Sequence, residues 1–146
     1  MTLVKTDMEP SRLQRNEDDY SISKNIAESG DDGPVLMLNM NRYTTEAAFP
    51  DGELYNKYVE GLGRFLESAG AKILWRFPVL GQAVGSQRID EIIAVWYPVH
   101  KIFVELYDAP GAVENFRLKG LCVDYAVIHR CPGNRYPFAP FLVSRQ

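Results

Sequence analysis

Apolar residues recur along this chain at two spacings, and the spacing separates strands from helices. Residues 34–43, PVLMLNMNRY, begin with consecutive apolar side chains, as a strand buried on both faces requires. They finish with Asn39, Asn41 and Arg42, which can hydrogen-bond a ligand or simply close the strand. In DGELYNKYVEGLGRFLESAG (51–70), Leu54, Tyr58, Leu62, Phe65 and Leu66 recur at helical spacing, joined by Tyr55 and Val59. Glu53, Lys57, Glu60, Arg64 and Glu67 face away, so the stretch predicts an amphipathic helix. Asp51 is placed to accept from first-turn amides, and Gly70 suits a left-handed stop. Gly61 and Gly63 cost helix propensity, which suggests either a closely approaching backbone or a weak point.

AKILWRFPVLGQAVG (71–85) reads as a strand passing Pro78, a residue that belongs on a sheet edge. RIDEIIAVWYP (88–98) is apolar on both faces from Ile92 to Tyr97, as a central strand requires. After Pro98, the residues Val99, Ile102, Phe103, Leu106 and Tyr107 fit a second helix. APG (109–111) breaks it, and a shorter helical piece through Phe116 leads to Gly120. LCVDYAVIHRC (121–131) is the last strand. Residues 132–146, with prolines at 132, 137 and 140, predict an irregular tail. Residues 1–33 are polar without a sustained apolar period and read as an extension, mobile or laid over the body.

Strand, helix, strand, strand, helix, strand is the split βαβ order of a ferredoxin-like α+β domain, here spanning 34–131. Both helices then cover one face of a four-stranded antiparallel sheet. The other face would be left bare, yet three strands carry apolar residues at consecutive positions. A bare apolar face of that size implies a partner, and a second copy packed sheet to sheet satisfies it. The pattern therefore predicts a homodimer.

Composition narrows the function classes. The chain has 146 residues, 46% hydrophobic and 24% charged, enough for one domain with its own core. Residues 1–33 hold eight acidic and four basic side chains, while residues 34–146 hold eleven and twelve. A nearly neutral body without clustered basic residues argues against a nucleic-acid or anionic-membrane surface. No window has the apolar length of a membrane span, and the N-terminus has no signal-like apolar stretch. Two cysteines, Cys122 and Cys131, are too few for a disulfide framework, so a reduced cytoplasmic setting is expected.

LMLNMNRY, LYNKYVEGLGRFLESAGAKILWR and DEIIAVWYPVHKIFVEL together resemble an uncharacterised family of small bacterial proteins within the dimeric α+β barrel superfamily. The shared pattern falls on Leu38–Asn39, Arg42–Tyr43, Tyr55, Tyr58, Gly70–Ala71, Asp90–Glu91 and Tyr97–Pro98, and covers roughly residues 34–131. The resemblance implies a dimeric α+β barrel with ligands held between sheet and helices of each subunit. Relatives with known activity include small monooxygenases, isomerases, polyketide cyclases and haem-degrading enzymes. The haem-degrading relatives use a histidine in the second helical region, and residues 101–120 contain none, so no cofactor is expected.

Within that frame, Asn39 and Asn41 share a strand face with Val35 and Met37. If this face looks toward the helices, both amides could orient a carbonyl or polarise an oxyanion; otherwise they bond nearby backbone. Tyr55 and Tyr58 fall on or beside the buried helix stripe, as binding hydroxyls or as core. Trp75 and Trp96 could line an aromatic pocket or pack. His129 shares a face with Val123, Tyr125 and Val127 by simple alternation, is expected to be at least partly buried, and is the best candidate general base. The alternative is a structural histidine. His100, early in an amphipathic helix, is expected to be exposed. Asp90 and Glu91 open a strand, where paired acids are usually solvated and point oppositely.

His129 and Cys131, even with Cys122 brought near, lack the spacing of a metal site, and no phosphate-binding glycine loop or nucleophile elbow occurs. The sequence thus leads to a dimer binding a small, largely apolar carbonyl- or hydroxyl-bearing molecule. One form is a cofactor-free isomerase, cyclase or monooxygenase with His129 as base; the other is a non-catalytic binding or structural dimer.

Overall fold

The computed structural model describes residues 13–134. Residues 1–12 and 135–146, the latter most of the expected tail, lie outside the described residues. The order is α1 (Glu17–Glu28), β1 (Val35–Tyr43), α2 (Glu53–Ala69), β2 (Lys72–Pro78), β3 (Glu91–Tyr97), α3 (His100–Val104), a 3-10 turn (Leu106–Asp108), α4 (Ala112–Cys122) and β4 (Val123–Pro132). The four strands form one antiparallel sheet in the order β2-β3-β1-β4, the split βαβ topology of a ferredoxin-like α+β fold. Pro78 ends β2 at the sheet edge, where a missing N–H costs no ladder bond.

Register fixes which side chains face the helices. Val35, Met37, Asn39 and Asn41 stand opposite Tyr97, Val95, Ile93 and Glu91. The apolar members of this set, with Phe65 and Leu66 of α2, form the main core cluster. A second cluster joins Tyr43, Tyr55, Tyr58, Val59, Leu118, Cys122 and Val123. The alternate positions, Leu36, Leu38 and Met40 with Trp96, Ala94 and Ile92, form the opposite sheet face. Both faces of β1 and β3 are therefore apolar, as consecutive hydrophobic residues required.

Helix ends depart from expectation in instructive ways. Gly52, not Asp51, caps α2, and it makes no side-chain bond. A Cβ there would collide with the carbonyls of Ala47 and Ala48, so the tight entry turn, rather than a capping side chain, selects the residue. Gly70 ends α2 at φ 101°, and its N–H reaches the carbonyls of Leu66 and Glu67. No backbone crowds Gly61 or Gly63; only the Leu118 side chain comes within 4.0 Å of a Cβ at Gly61. The helix after Pro98 is short, while the piece after the APG break runs through Gly120 to Cys122. Buried Leu118 and Cys122 anchor that last turn and override the glycine.

The polar N-terminal segment contains a helix the apolar period did not announce. Asn16 caps α1 by accepting from Asp19 N–H at 3.1 Å, and Glu17, Asp18 and Asp19 fill its first turn, where the helix dipole favours acids. Three polar contacts hold it on the body. Asp19 pairs with Arg130 of β4 at 2.8 Å, and Tyr20 donates to Val104 O at 3.3 Å. Asp32 accepts from the amides of His100 and Lys101 at 2.8 and 2.9 Å, capping α3 from a distant part of the chain. The His100 ring folds onto the same carboxylate, Nδ1 to Oδ1 2.9 Å, so His100 is buried rather than exposed.

Candidate functional site

Between the inner sheet face and the helices lies a cavity of about 800 Å³. Met37, Ile93 and Val95 supply its sheet wall, Tyr58, Leu62 and Leu66 of α2 its roof, and α4 adds Asn115, Phe116 and Lys119. Residues of α1 and the edge of β4 form the rim. Apolar side chains make up the larger share of its surface, and polar groups from α1, β1, α4 and β4 stand among them.

Asn39 and Asn41 face this cavity, and their amide orientations follow from their neighbours. Asn39 Nδ2 lies 3.1 Å from Met37 O and 3.4 Å from Ile93 O. Carbonyls only accept, so the NH2 must be the end that turns to them. Asn41 Nδ2 lies 3.3 Å from the Tyr43 hydroxyl, whose own hydrogen goes to Glu91 Oε1 at 2.7 Å. That hydroxyl can therefore only accept from Asn41. Asn39 commits both N–H groups to carbonyls, so an oxyanion role for it would require breaking these bonds, whereas Asn41 gives one of its two N–H groups to Tyr43. The amide oxygens remain as acceptors.

Behind Asn41, Glu91 is 2% exposed, against the expectation of a solvated strand-opening acid. Besides Tyr43, the Tyr55 hydroxyl sits 2.8 and 2.9 Å from its two oxygens, and Arg76 Nη1 2.9 Å from Oε2. Arg76 also donates to the Tyr55 hydroxyl at 2.8 Å. Burial, with Glu91 adding to it, raises the pKa of Tyr43 and Tyr55 above the ordinary phenol value, and burial does the same to Tyr58. All three are neutral hydroxyls at physiological pH. Asp90, beside Glu91, points elsewhere and accepts from Tyr43 N–H at 2.8 Å.

The structure divides the remaining candidates. Tyr58 lines the cavity, and Tyr55 belongs to the Glu91 network. Arg42 lies on the opposite sheet face, 2.9 Å from Asp124 and over the Tyr125 ring. Trp75 pairs with Ala94 on that same outer face and stacks on Phe77 at 5.0 Å. His129 stands opposite Leu38, so its side chain leaves β4 on the outer face and is exposed, not partly buried. It reaches the cavity's rim only where the β4 edge does, and it does not converge with Asn41 and Tyr58. The cause is a register shift between Arg42 and Tyr43: Val123 faces inward, but Tyr125, Val127 and His129 face outward.

Sequence reading missed Asn115 and Lys119. They lie one turn apart on α4, next to buried Leu118 and Cys122, and that i, i+4 spacing was the available signal. Cys122 donates toward Leu54 O at 3.5 Å, and burial pushes its thiol up to about 11. Among the described residues no group of three or more histidine, cysteine or acidic side chains could hold a metal ion. Nor is any helix among them long and apolar enough to cross a membrane.

The ferredoxin-like fold is shared with solved structures. A protein of unknown function from Rhodopseudomonas palustris matches 86% of this chain and 98% of its own, at 23% identity and a TM-score of 0.67. The methylated form of that protein gives a TM-score of 0.65, also at 23% identity, over 85% of this chain and 96% of its own. A dabb family protein with a ferredoxin-like fold from Mesorhizobium loti matches 73% of this chain and 99% of its own, at 8% identity and 0.54. At these identities the likeness carries the fold and none of the chemistry. No family model and no curated protein matches the chain.

Proposed function

We propose that the chain is a homodimer in which each subunit binds a small, largely apolar organic molecule bearing a hydroxyl or carbonyl group. The observation that carries the binding reading is the cavity of about 800 Å³ between sheet and helices. Its size, and an apolar sheet and helix wall with polar groups placed around it, suit a small-molecule site. The asparagine amide oxygens favour a ligand that donates, and the Tyr58 ring supports an apolar body. The dimer reading is supported by the outer face, where Leu38, Met40, Ile92, Trp96 and Trp75 stand together. Binding without turnover is the reading we favour, since His129 leaves the sheet on the side away from the cavity.

A thermal-shift screen of small alcohols, ketones and acids against the full chain tests the site. Leu62→Trp, which fills the cavity from α2, should abolish every shift that wild type shows. A ligand whose effect survives Leu62→Trp would place binding elsewhere.

A further inference from the structure

The cavity's polar groups define the ligand's polar end. Lys119 lines the cavity, and among the described residues no carboxylate lies within ion-pairing distance of its ammonium. The cavity's other cations, Arg15 and Arg130, are paired with Glu17 and Asp19. Of the described lining residues only Asp19 is acidic, and it is spent on Arg130. Lys119 is half-buried with its ammonium 6.0 Å from the Phe116 ring, and desolvation lowers its pKa.

A second observation points the same way. Asn115 is 6% exposed, lines the cavity, and its Oδ1 has no hydrogen-bond partner among the described residues. A buried acceptor left unpaired costs about 1–3 kcal/mol, so it fits a group that a ligand satisfies. One helical turn separates it from Lys119, within reach of two functional groups on adjacent atoms of one molecule.

We propose that the cavity binds a monoanionic hydroxy acid with an apolar body, its carboxylate on Lys119 and its neighbouring hydroxyl donating to Asn115 Oδ1. This rests on the cavity being a ligand site. A single unpaired ammonium neutralises one negative charge, which favours a carboxylate over a dianionic phosphate. The apolar sheet wall then covers the rest of the molecule.

The test is calorimetric titration of the full chain at pH 7 with octanoate, 2-hydroxyoctanoate and octanamide. Octanoate should bind about tenfold or more tightly than the uncharged amide, and 2-hydroxyoctanoate several-fold more tightly again. Lys119→Met should bring octanoate and octanamide within about twofold, while Asn115→Leu should remove only the hydroxyl's gain. Lys119→Gln serves as the second variant if Lys119→Met folds poorly. Amide binding as tight as acid binding, or acid affinity unchanged in both lysine variants, overturns the anionic end and leaves the cavity as a neutral-ligand site. Failure of all three probes to bind overturns both readings.

Discussion

Glu91 is the side chain whose loss the structure makes most costly. Replacing it with alanine strips the acceptor from the buried Tyr43 hydroxyl and leaves Tyr55 only its bond from Arg76. Each buried hydroxyl deprived of its partner costs about 1–3 kcal/mol. Arg76 loses its counterion, but its side chain is 40% exposed and rehydrates, which limits its share. Together these place Glu91→Ala at roughly 3 kcal/mol, the low end for breaking a buried ion pair. For a chain of this size that lowers Tm by roughly 6–12 °C. Tyr43→Phe alone removes the bond to the charged Glu91 acceptor, together with the weaker one that Asn41 donates, and should cost about 1.5–3 kcal/mol. Because it acts through Glu91, the double variant should cost clearly less than the sum. Urea unfolding at one fixed protein concentration reads all three, since mass action on the proposed dimer would shift the apparent midpoint. A Glu91→Ala protein within 1 kcal/mol of wild type, or strict additivity with Tyr43→Phe, would refute the network as a structural unit.

Gly63→Ala should stabilise the protein by about 0.5–1 kcal/mol in the same denaturation assay, because nothing lies within 4 Å of the added methyl and α2 gains helix propensity. Leu38→Asp puts a charge at the centre of the outer sheet face. Sedimentation should then give the 16.6 kDa chain mass in place of twice that value, with far-UV circular dichroism unchanged. Although burial works to raise it, the hydrogen bonds from His100, Lys101 and Gly33 hold the Asp32 pKa below its ordinary 3.8. Its stabilisation is complete above that unfolded value and is lost as pH falls through the lower folded one. Amide exchange in α3 should therefore accelerate on acidification below pH 4, and Asp32→Asn should show fast exchange at every pH.

The fold was legible because it depends on periods that a sequence displays openly. Consecutive apolar residues in β1 and β3 required two covered faces, and the stripe from Leu54 to Leu66 required a helix over one of them. Pro78 marked an edge. α1 escaped because its stability comes from the Asn16 cap, an acidic first turn and pairs with distant partners such as Arg130, none of which leaves an apolar period.

The site was harder to read for a more specific reason. A polar residue's role depends on which face it occupies and on which neighbour meets it there. Strict alternation from Val123 puts His129 on the inner face with it; the register shift that sets Val123 against Tyr43 while Tyr125 meets Arg42 sends His129 outward. One skipped residue thus removes the expected base from the cavity, because side-chain period in a strand is two. Asn41 illustrates the other half. Its inward face was readable by alternation from Val35 and Met37, but its chemistry was not. Which way its amide turns is decided by Tyr43, whose hydrogen is committed to Glu91 across the ladder. The acid that the sequence suggested was solvated therefore sets the polarity of the asparagine that the sequence suggested was functional. The charge that would complement the proposed acid lies on α4, at Lys119.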